Sequence, residues 1–232
     1  MAIEAHRRDK GYCWGSLLWK LNDCWPVTSS TAIDYYGNWK ALQYAVKKSC
    51  EPIIVVPYMV KPLTYDLYVV SDLPKDIKGK MVVSALTIDG QLISSDTIVG
   101  IAKANCSEKI AQWQPRKYPN IAENGYLKVT FIDDLGEKIA EKITTFDKPK
   151  YLKNQPNVQM DVNVTEQGWQ LTLTSDKFVQ GVQIFTTPHI SGKYSDNYLT
   201  LEPNKPVQIL FTPRKNKEKE INFDIRYFSS EF

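Results

Sequence analysis

After residue 52 the chain is a series of short segments in which apolar and polar positions alternate. Between residues 126 and 132, every second side chain can face a core while those between face water. The dipeptides Asp89-Gly90 and Leu135-Gly136 predict tight turns between such segments. This pattern predicts an immunoglobulin-like β-sandwich over residues 53–150. Its predicted strands are 53–60, 65–71, 80–87, 96–101 and 126–132.

The same alternation returns later and predicts a second, smaller immunoglobulin-like sandwich over residues 151–232. Trp169 begins a run of alternating apolar and polar side chains, so we expect its ring in the core rather than on a ligand surface. Residues 148–156 carry two prolines and several polar side chains, a composition typical of a linker, and predict the boundary. The predicted strands are 159–165, 169–174, 182–186, 207–213 and 221–228.

The first 52 residues follow a different pattern. Residues 2–10 favour a helix, which Gly11 can end in the left-handed conformation. Residues 15–21 are apolar on both faces, which predicts a short buried strand of the parallel type. A second helix is predicted next, with Asn38 as its N-cap. The apolar residues at its helical spacing are Trp39, Leu42, Ala45 and Val46.

Residue types that suit a sugar cluster around this predicted strand. Trp19 lies in the strand, and Asn22, Asp23 and Trp25 follow at its carboxyl end, where parallel strands of a barrel present their chemistry. Aromatic rings stack on the apolar face of a pyranose while Asn and Asp bind hydroxyl groups, so the mixture favours a carbohydrate. Two tryptophans beside a strand are also common in cores, and the residues alone leave both interpretations open.

Three stretches together closely resemble the end of the catalytic barrel in β-mannosidases of glycoside hydrolase family 2. They are residues 2–8 (AIEAHRR), 15–26 (GSLLWKLNDCWP) and 33–42 (IDYYGNWKAL), in matching order and spacing. The likeness is specific over residues 2 to about 48, and the rest resembles the β-sandwiches that follow the barrel in that family. The predicted fold is therefore mainly β, with two immunoglobulin-like sandwiches after a helix-strand-helix remnant, residues 1–52, of a (β/α)8 barrel.

The resemblance implies a longer retaining glycosidase that cleaves terminal β-mannosides. Such enzymes need two carboxyl groups about 5 Å apart, and the family supplies both from earlier barrel strands. We expect the pair to be absent here and the chain alone to be inactive. Trp19, Asn22, Asp23 and Trp25 are then candidates for one wall of the substrate pocket, without a catalytic residue among them. The implied partners are a β-mannoside-containing glycan and the remainder of the barrel. Without that remainder, we expect residues 1–52 to be weakly held, or to pack on a sandwich or a second copy.

Composition excludes several other classes of protein. A formal net charge of +3 does not indicate a nucleic-acid partner, and the basic run 214–219 is typical of a solvated hairpin loop. The four cysteines lack metal-ligand spacing, so we expect neither a metal nor another cofactor. Those at 13, 24 and 50 are expected to be small buried hydrophobic side chains rather than disulfide partners.

The chain has no apolar run long enough for a membrane span. The compartment stays open, since an export signal further upstream would place the protein in the periplasm or outside the cell.

Two alternatives from other functional classes stay open. One is a non-catalytic carbohydrate-binding module, for which Trp113 and Tyr118, flanked by Pro115 and Pro119, offer an aromatic cluster. The same cluster also suits a proline-rich loop that packs against its neighbours. The second alternative is a structural or interaction pair of sandwiches with no ligand at all.

Overall fold

The computed structural model describes residues 2–146, 155–214 and 220–227. It divides the chain into two compact units, each made of two stretches of sequence. Unit 1 is Met1–Leu17 with Lys47–Leu152, and unit 2 is Leu18–Val46 with Lys153–Phe232. The N-terminal 52 residues are thus shared between two units. Most of the predicted linker and of the basic run after residue 214 lie outside the described residues.

The described part of unit 1 forms an antiparallel β-sandwich of seven strands in two sheets, as the alternation predicts. One sheet has the order β1-β2-β5 and the other β4-β3-β6-β7. The strands are β1 (Ile53–Lys61), β2 (Thr64–Ser71), β3 (Ile77–Thr87), β4 (Leu92–Ala102), β5 (Ser107–Trp113), β6 (Gly125–Asp133) and β7 (Lys138–Thr145).

Both sheets of unit 1 contribute apolar side chains to one core. Along β3, Met81, Val83 and Ala85 are fully buried while the residues between them are partly exposed. The predicted turns are confirmed, because Gly90 and Gly136 have φ values of 83° and 86° that favour glycine. Removal of apolar surface from water stabilises such a core by about 25 cal/mol per Å².

Unit 2 contains the second antiparallel sandwich, with sheet orders β11-β13-β9-β8 and β12-β10-β14. Trp169 is buried in its core beside Leu171 and Leu173, so the prediction for this ring is confirmed. The strands are β8 (Val158–Thr165), β9 (Gly168–Ser175), β10 (Val179–Thr186), β11 (Gly192–Tyr194), β12 (Leu199–Leu201), β13 (Val207–Pro213) and β14 (Phe223–Arg226).

The described residues form three short helices, α1 (Ala2–Arg8), α2 (Ala41–Ser49) and α3 (Ile121–Asn124). Gly11 follows α1 with a positive φ of 103°, as expected. Asn38 is not the N-cap of α2, because the helix starts three residues later and the Asn38 amide binds Asp34 instead. Across the described ranges, none of the helices has the length and apolar character needed to cross a membrane.

Candidate functional site

Residues 15–21 do not form the predicted buried strand. Within the described residues, backbone pairing at this point is limited to single bridges from Ile33 to Asn22 and to Trp39. A strand that is apolar on both faces needs a neighbour on each edge and a cover on each side, and the described chain supplies neither. The prediction is wrong for this reason. The side chains of Trp19 and Trp25 are consequently exposed, at 90% and 64%.

Asp23 is the fixed point of this segment, because its side chain is fully buried. One carboxylate oxygen accepts a hydrogen bond from Lys40 Nζ at 2.8 Å, and the other accepts one from Ser29 Oγ at 2.6 Å. Thr31 Oγ1 donates a third bond, also at 2.8 Å, to the oxygen that Lys40 contacts. The hydrogen bonds from Lys40 and then Ser29 hold the pKa of Asp23 far below its ordinary value of 3.8.

Backbone hydrogen bonds complete a compact loop around this carboxylate. The Asp23 amide donates to Ile33 O at 3.1 Å, and the Ile33 amide donates to Leu21 O at 2.9 Å. Further along, the Lys40 amide donates to Ala32 O at 2.9 Å. We call residues 19–40 the tryptophan loop. Its exposed rings are therefore attached to a backbone that is fixed from within.

The tryptophan loop also contacts the second sandwich, within unit 2. Arg214 reaches from the end of β13 to two backbone carbonyls of the loop, at 2.6 Å and 2.7 Å. His189 Nε2 lies 3.2 Å from the Asn38 side-chain amide, and Lys193 Nζ lies 5.7 Å from the Trp39 ring centroid. The first residues of α2 join the same sandwich, since the Tyr44 and Tyr198 rings lie 5.9 Å apart.

The four predicted pocket residues therefore differ in what they can contact. Trp19, Asn22 and Trp25 are exposed to solvent, so a ligand could reach their side chains. Asp23 is not, because its carboxylate is already bound to three partners inside the protein. Sequence reasoning missed Lys40 as its counter-ion, although both residues lie within the stretches that resemble the barrel.

Other predicted features have structural roles or differ from expectation. Trp113 is buried in β5, and its indole donates to Asp96 Oδ2 at 2.6 Å. The prediction that Trp113 and Tyr118 offer an aromatic cluster to a carbohydrate is therefore wrong. Cys24 and Cys50 are exposed rather than buried, and all four cysteines are free. In the described part of the chain, no group of three or more His, Cys, Asp or Glu residues could hold a metal ion.

Comparison with known proteins gives the relationships of both sandwiches. Residues 63–151 match the family model of a mannosidase Ig/CBM-like domain, and residues 154–227 match that of a mannosidase Ig-fold domain. β-Mannosidase B of Emericella nidulans is 35% identical over 103 residues, which are 39% of this chain and 12% of the relative. β-Mannosidase B of Thermothelomyces thermophilus is 25% identical over 219 residues, 85% of this chain and 26% of the relative. The chain is homologous to the C-terminal immunoglobulin-like domains of family 2 β-mannosidases.

Solved structures agree on the fold. The β-D-mannosidase of Dictyoglomus thermophilum superposes with a TM-score of 0.78 at 23% identity, over 97% of this chain and 28% of that one. The exo-chitosanase of Amycolatopsis orientalis superposes with a TM-score of 0.68 at 14% identity, over 97% and 31%. The chain spans about a quarter or less of the length of the β-mannosidases whose sequences it matches here.

Proposed function

We propose that this chain is the C-terminal part of a retaining β-mannosidase, in which the tryptophan loop forms one wall of the sugar pocket. The observation that carries the proposal is the exposure of Trp19 and Trp25 on a loop whose backbone is fixed by a buried carboxylate. Exposing two indole rings to water is unfavourable unless they meet a ligand or another part of the protein. The β-mannosidase relatives make a terminal β-mannoside the ligand of choice.

Each candidate residue has a defined role in this proposal. Trp19 and Trp25 offer aromatic faces to the apolar side of the sugar, and the Asn22 amide binds a hydroxyl group. Asp23 supports the loop and makes no contact with the sugar, because its oxygens are occupied by Lys40, Ser29 and Thr31.

The acid and the nucleophile of the reaction belong to other parts of the longer enzyme. General acid catalysis contributes about 10²- to 10⁴-fold, and the covalent step depends on a second carboxylate. Asp23 cannot act as the nucleophile, since its oxygens are buried and bound by Lys40, Ser29 and Thr31. Its lowered pKa does not suit a general acid. We therefore expect the purified 232-residue chain to show no turnover of an aryl β-mannoside. Turnover by this chain, free of contaminating enzyme, would overturn the assignment.

The test of the pocket is Trp19→Ala in the longer enzyme. We expect kcat/KM for an aryl β-mannoside to fall at least about tenfold, which corresponds to about 1.4 kcal/mol of transition-state stabilisation. Trp14→Ala is the matched control, because Trp14 is also an exposed tryptophan but is not a candidate pocket residue. If Trp19→Ala folds normally and keeps wild-type kinetics, the indole does not line the pocket.

A further inference from the structure

We propose that Arg214 of the second sandwich is a positioning residue for the tryptophan loop. Its guanidinium donates from Nη1 to Tyr36 O at 2.6 Å and from Nη2 to Gly37 O at 2.7 Å. These are short, charge-assisted bonds, and the planar fork of arginine fits two adjacent acceptors as a lysine ammonium cannot. We call this contact the arginine clamp. Its catalytic consequence rests on the proposed function, whereas its structural consequence does not.

The loop is shaped to receive this guanidinium. Gly37 has a φ of 80°, and a Cβ added there would lie 2.3 Å from Arg214 Nη2 and 3.0 Å from Nη1. The backbone conformation at this position favours glycine, and a Cβ there would displace the guanidinium from its present place. On the other side, the Arg214 amide donates to Ser191 O at 3.0 Å, which attaches the arginine backbone to the sandwich.

A continuous set of short contacts leads from the clamp to the sugar-facing residues. Asp34 and Asn38 close the turn that contains Gly37, through bonds from the Asn38 amide and side chain to the Asp34 carboxylate at 2.8 Å and 2.9 Å. Ile33 precedes this turn, and its carbonyl and amide bind the backbone on either side of Asn22. Displacement of the turn is therefore transmitted to the segment between Trp19 and Trp25.

Other contacts keep the loop folded when the clamp is removed. The buried Asp23 network and the pairing of Tyr44 with Tyr198 do not involve Arg214. Loss of the clamp should therefore loosen the loop without unfolding unit 2. This separates a positioning role from a contribution to overall stability.

The first experiment measures hydrogen exchange in the 232-residue chain. In Arg214→Ala we expect the amides of Asp34, Gly37 and Asn38 to exchange at least about tenfold faster, while amides of β9 and β13 keep their protection. Arg214→Lys should restore only part of the protection. Arg226→Ala is the matched control, because the Arg226 guanidinium lies over the Phe185 ring of the sandwich, 4.6 Å from the ring centroid. Unchanged loop exchange in Arg214→Ala would overturn the proposal.

A second variant tests the clamp from the loop side. Gly37→Ala should expel the guanidinium and raise exchange of the same amides, at least as strongly as Arg214→Ala. In the double variant the two effects should be less than additive, because each substitution breaks the same contact. Full additivity would show that the two residues act independently and would contradict the clamp.

The catalytic consequence is measured in the longer enzyme. Per folded molecule, Arg214→Ala should lower kcat/KM for an aryl β-mannoside about threefold to tenfold. Arg214→Lys should recover part of this loss, and Arg226→Ala should keep the wild-type kcat/KM. A purely structural role would lower the folded fraction and leave kcat/KM per folded molecule unchanged, which would overturn the positioning role. If Trp19→Ala keeps wild-type kinetics, the proposal that the tryptophan loop lines the sugar pocket is refuted. The exchange experiment still decides whether the arginine clamp exists.

Discussion

Residues 2–17 and 18–46 adjoin in the sequence, yet each folds with a different sandwich and through a different kind of contact. In unit 1, α1 and the turn after it are attached by ion pairs in which at least one partner, Asp72 or Lys142, is substantially exposed to solvent. Asp72 receives Arg7 Nη2 at 2.9 Å and Lys10 Nζ at 2.6 Å, and about half of its side chain is exposed to solvent. Glu4 accepts from Lys142 Nζ at 2.5 Å on the same unit.

The tryptophan loop of unit 2 depends instead on a buried carboxylate and on hydrogen bonds to backbone carbonyls. The Asp23 side chain has no exposed surface, whereas its partner Lys40 is 28% exposed. Exposed ion pairs contribute little to the stability of the fold because water and salt screen them. A buried charge that loses its partners strongly destabilises the fold. We therefore expect α1 to detach from its sandwich more readily than the tryptophan loop, whose buried carboxylate holds the backbone in one conformation.

The largest expected effect comes from removal of the buried charge. Asp23→Asn keeps the size of the side chain but removes the anion that Lys40, Ser29 and Thr31 bind. We expect the amides of Ile33 and Lys40 to exchange roughly a hundredfold faster or more, while the amides of α1 are unaffected.

Hydrogen exchange of the Asp23→Asn chain checks this prediction. Asp34→Asn is the control, because it removes a negative charge from the same loop but outside the buried Asp23 network. Equal effects of the two substitutions would mean that burial of Asp23 contributes nothing special. Loss of protection in α1 would mean that the two segments are not independent.

Acid should separate the two segments in a defined order. Burial raises the pKa of Glu4, but the attraction and the hydrogen bond of Lys142 contribute to a net pKa below the ordinary 4.5. The pKa of Asp23 lies much further below its ordinary 3.8 because of Lys40 and Ser29. A carboxylate whose pKa is lowered by folding stabilises the fold above its unfolded pKa and loses that contribution as the pH falls through its folded pKa.

We therefore expect the α1 contact to weaken first, once the pH falls below about 4.5, and the tryptophan loop only at a distinctly lower pH. Amide resonances of Asp9 and Ile33, followed by NMR during an acid titration, report on the two segments separately. Simultaneous change, or change in the loop first, would contradict the expected difference between the Glu4 and Asp23 carboxylates.

The sequence predicts the two sandwiches well because alternation is a local signal that each strand carries itself. Among the strands that the structure describes, four are not predicted, namely β5, β7, β11 and β12. All four are edge strands with polar or very short sequences. Edge strands need polar side chains to avoid unwanted pairing, so their alternation is weak.

The candidate site was only partly predictable, because its decisive contacts are non-local. The residue types at Trp19, Asn22 and Trp25 indicate a sugar, and the structure leaves them exposed. The strand expected at 15–21 depended on neighbours that no local pattern can supply. The contact between Arg214 and Gly37 joins residues 177 positions apart, and the sequence around either residue gives no sign of the other.

The smallest expected effect is that of salt, and it sharpens the same comparison. At about 1 M NaCl the screening length falls to about 3 Å, so the half-exposed pairs of Asp72 weaken while the buried Asp23 network does not. Arg7 retains its hydrogen bonds to Ser49 O and Glu51 O, at 2.6 Å and 2.8 Å, which limits the loss.

We expect exchange of the Asp9 and Cys13 amides to accelerate only about twofold to fivefold relative to β3. Amides of the tryptophan loop should not change. In Asp72→Asn the salt effect on α1 should shrink, because the more exposed of the two carboxylates that attach α1 is removed. A salt effect of equal size in both segments would show that the loop, too, is held by exposed charges.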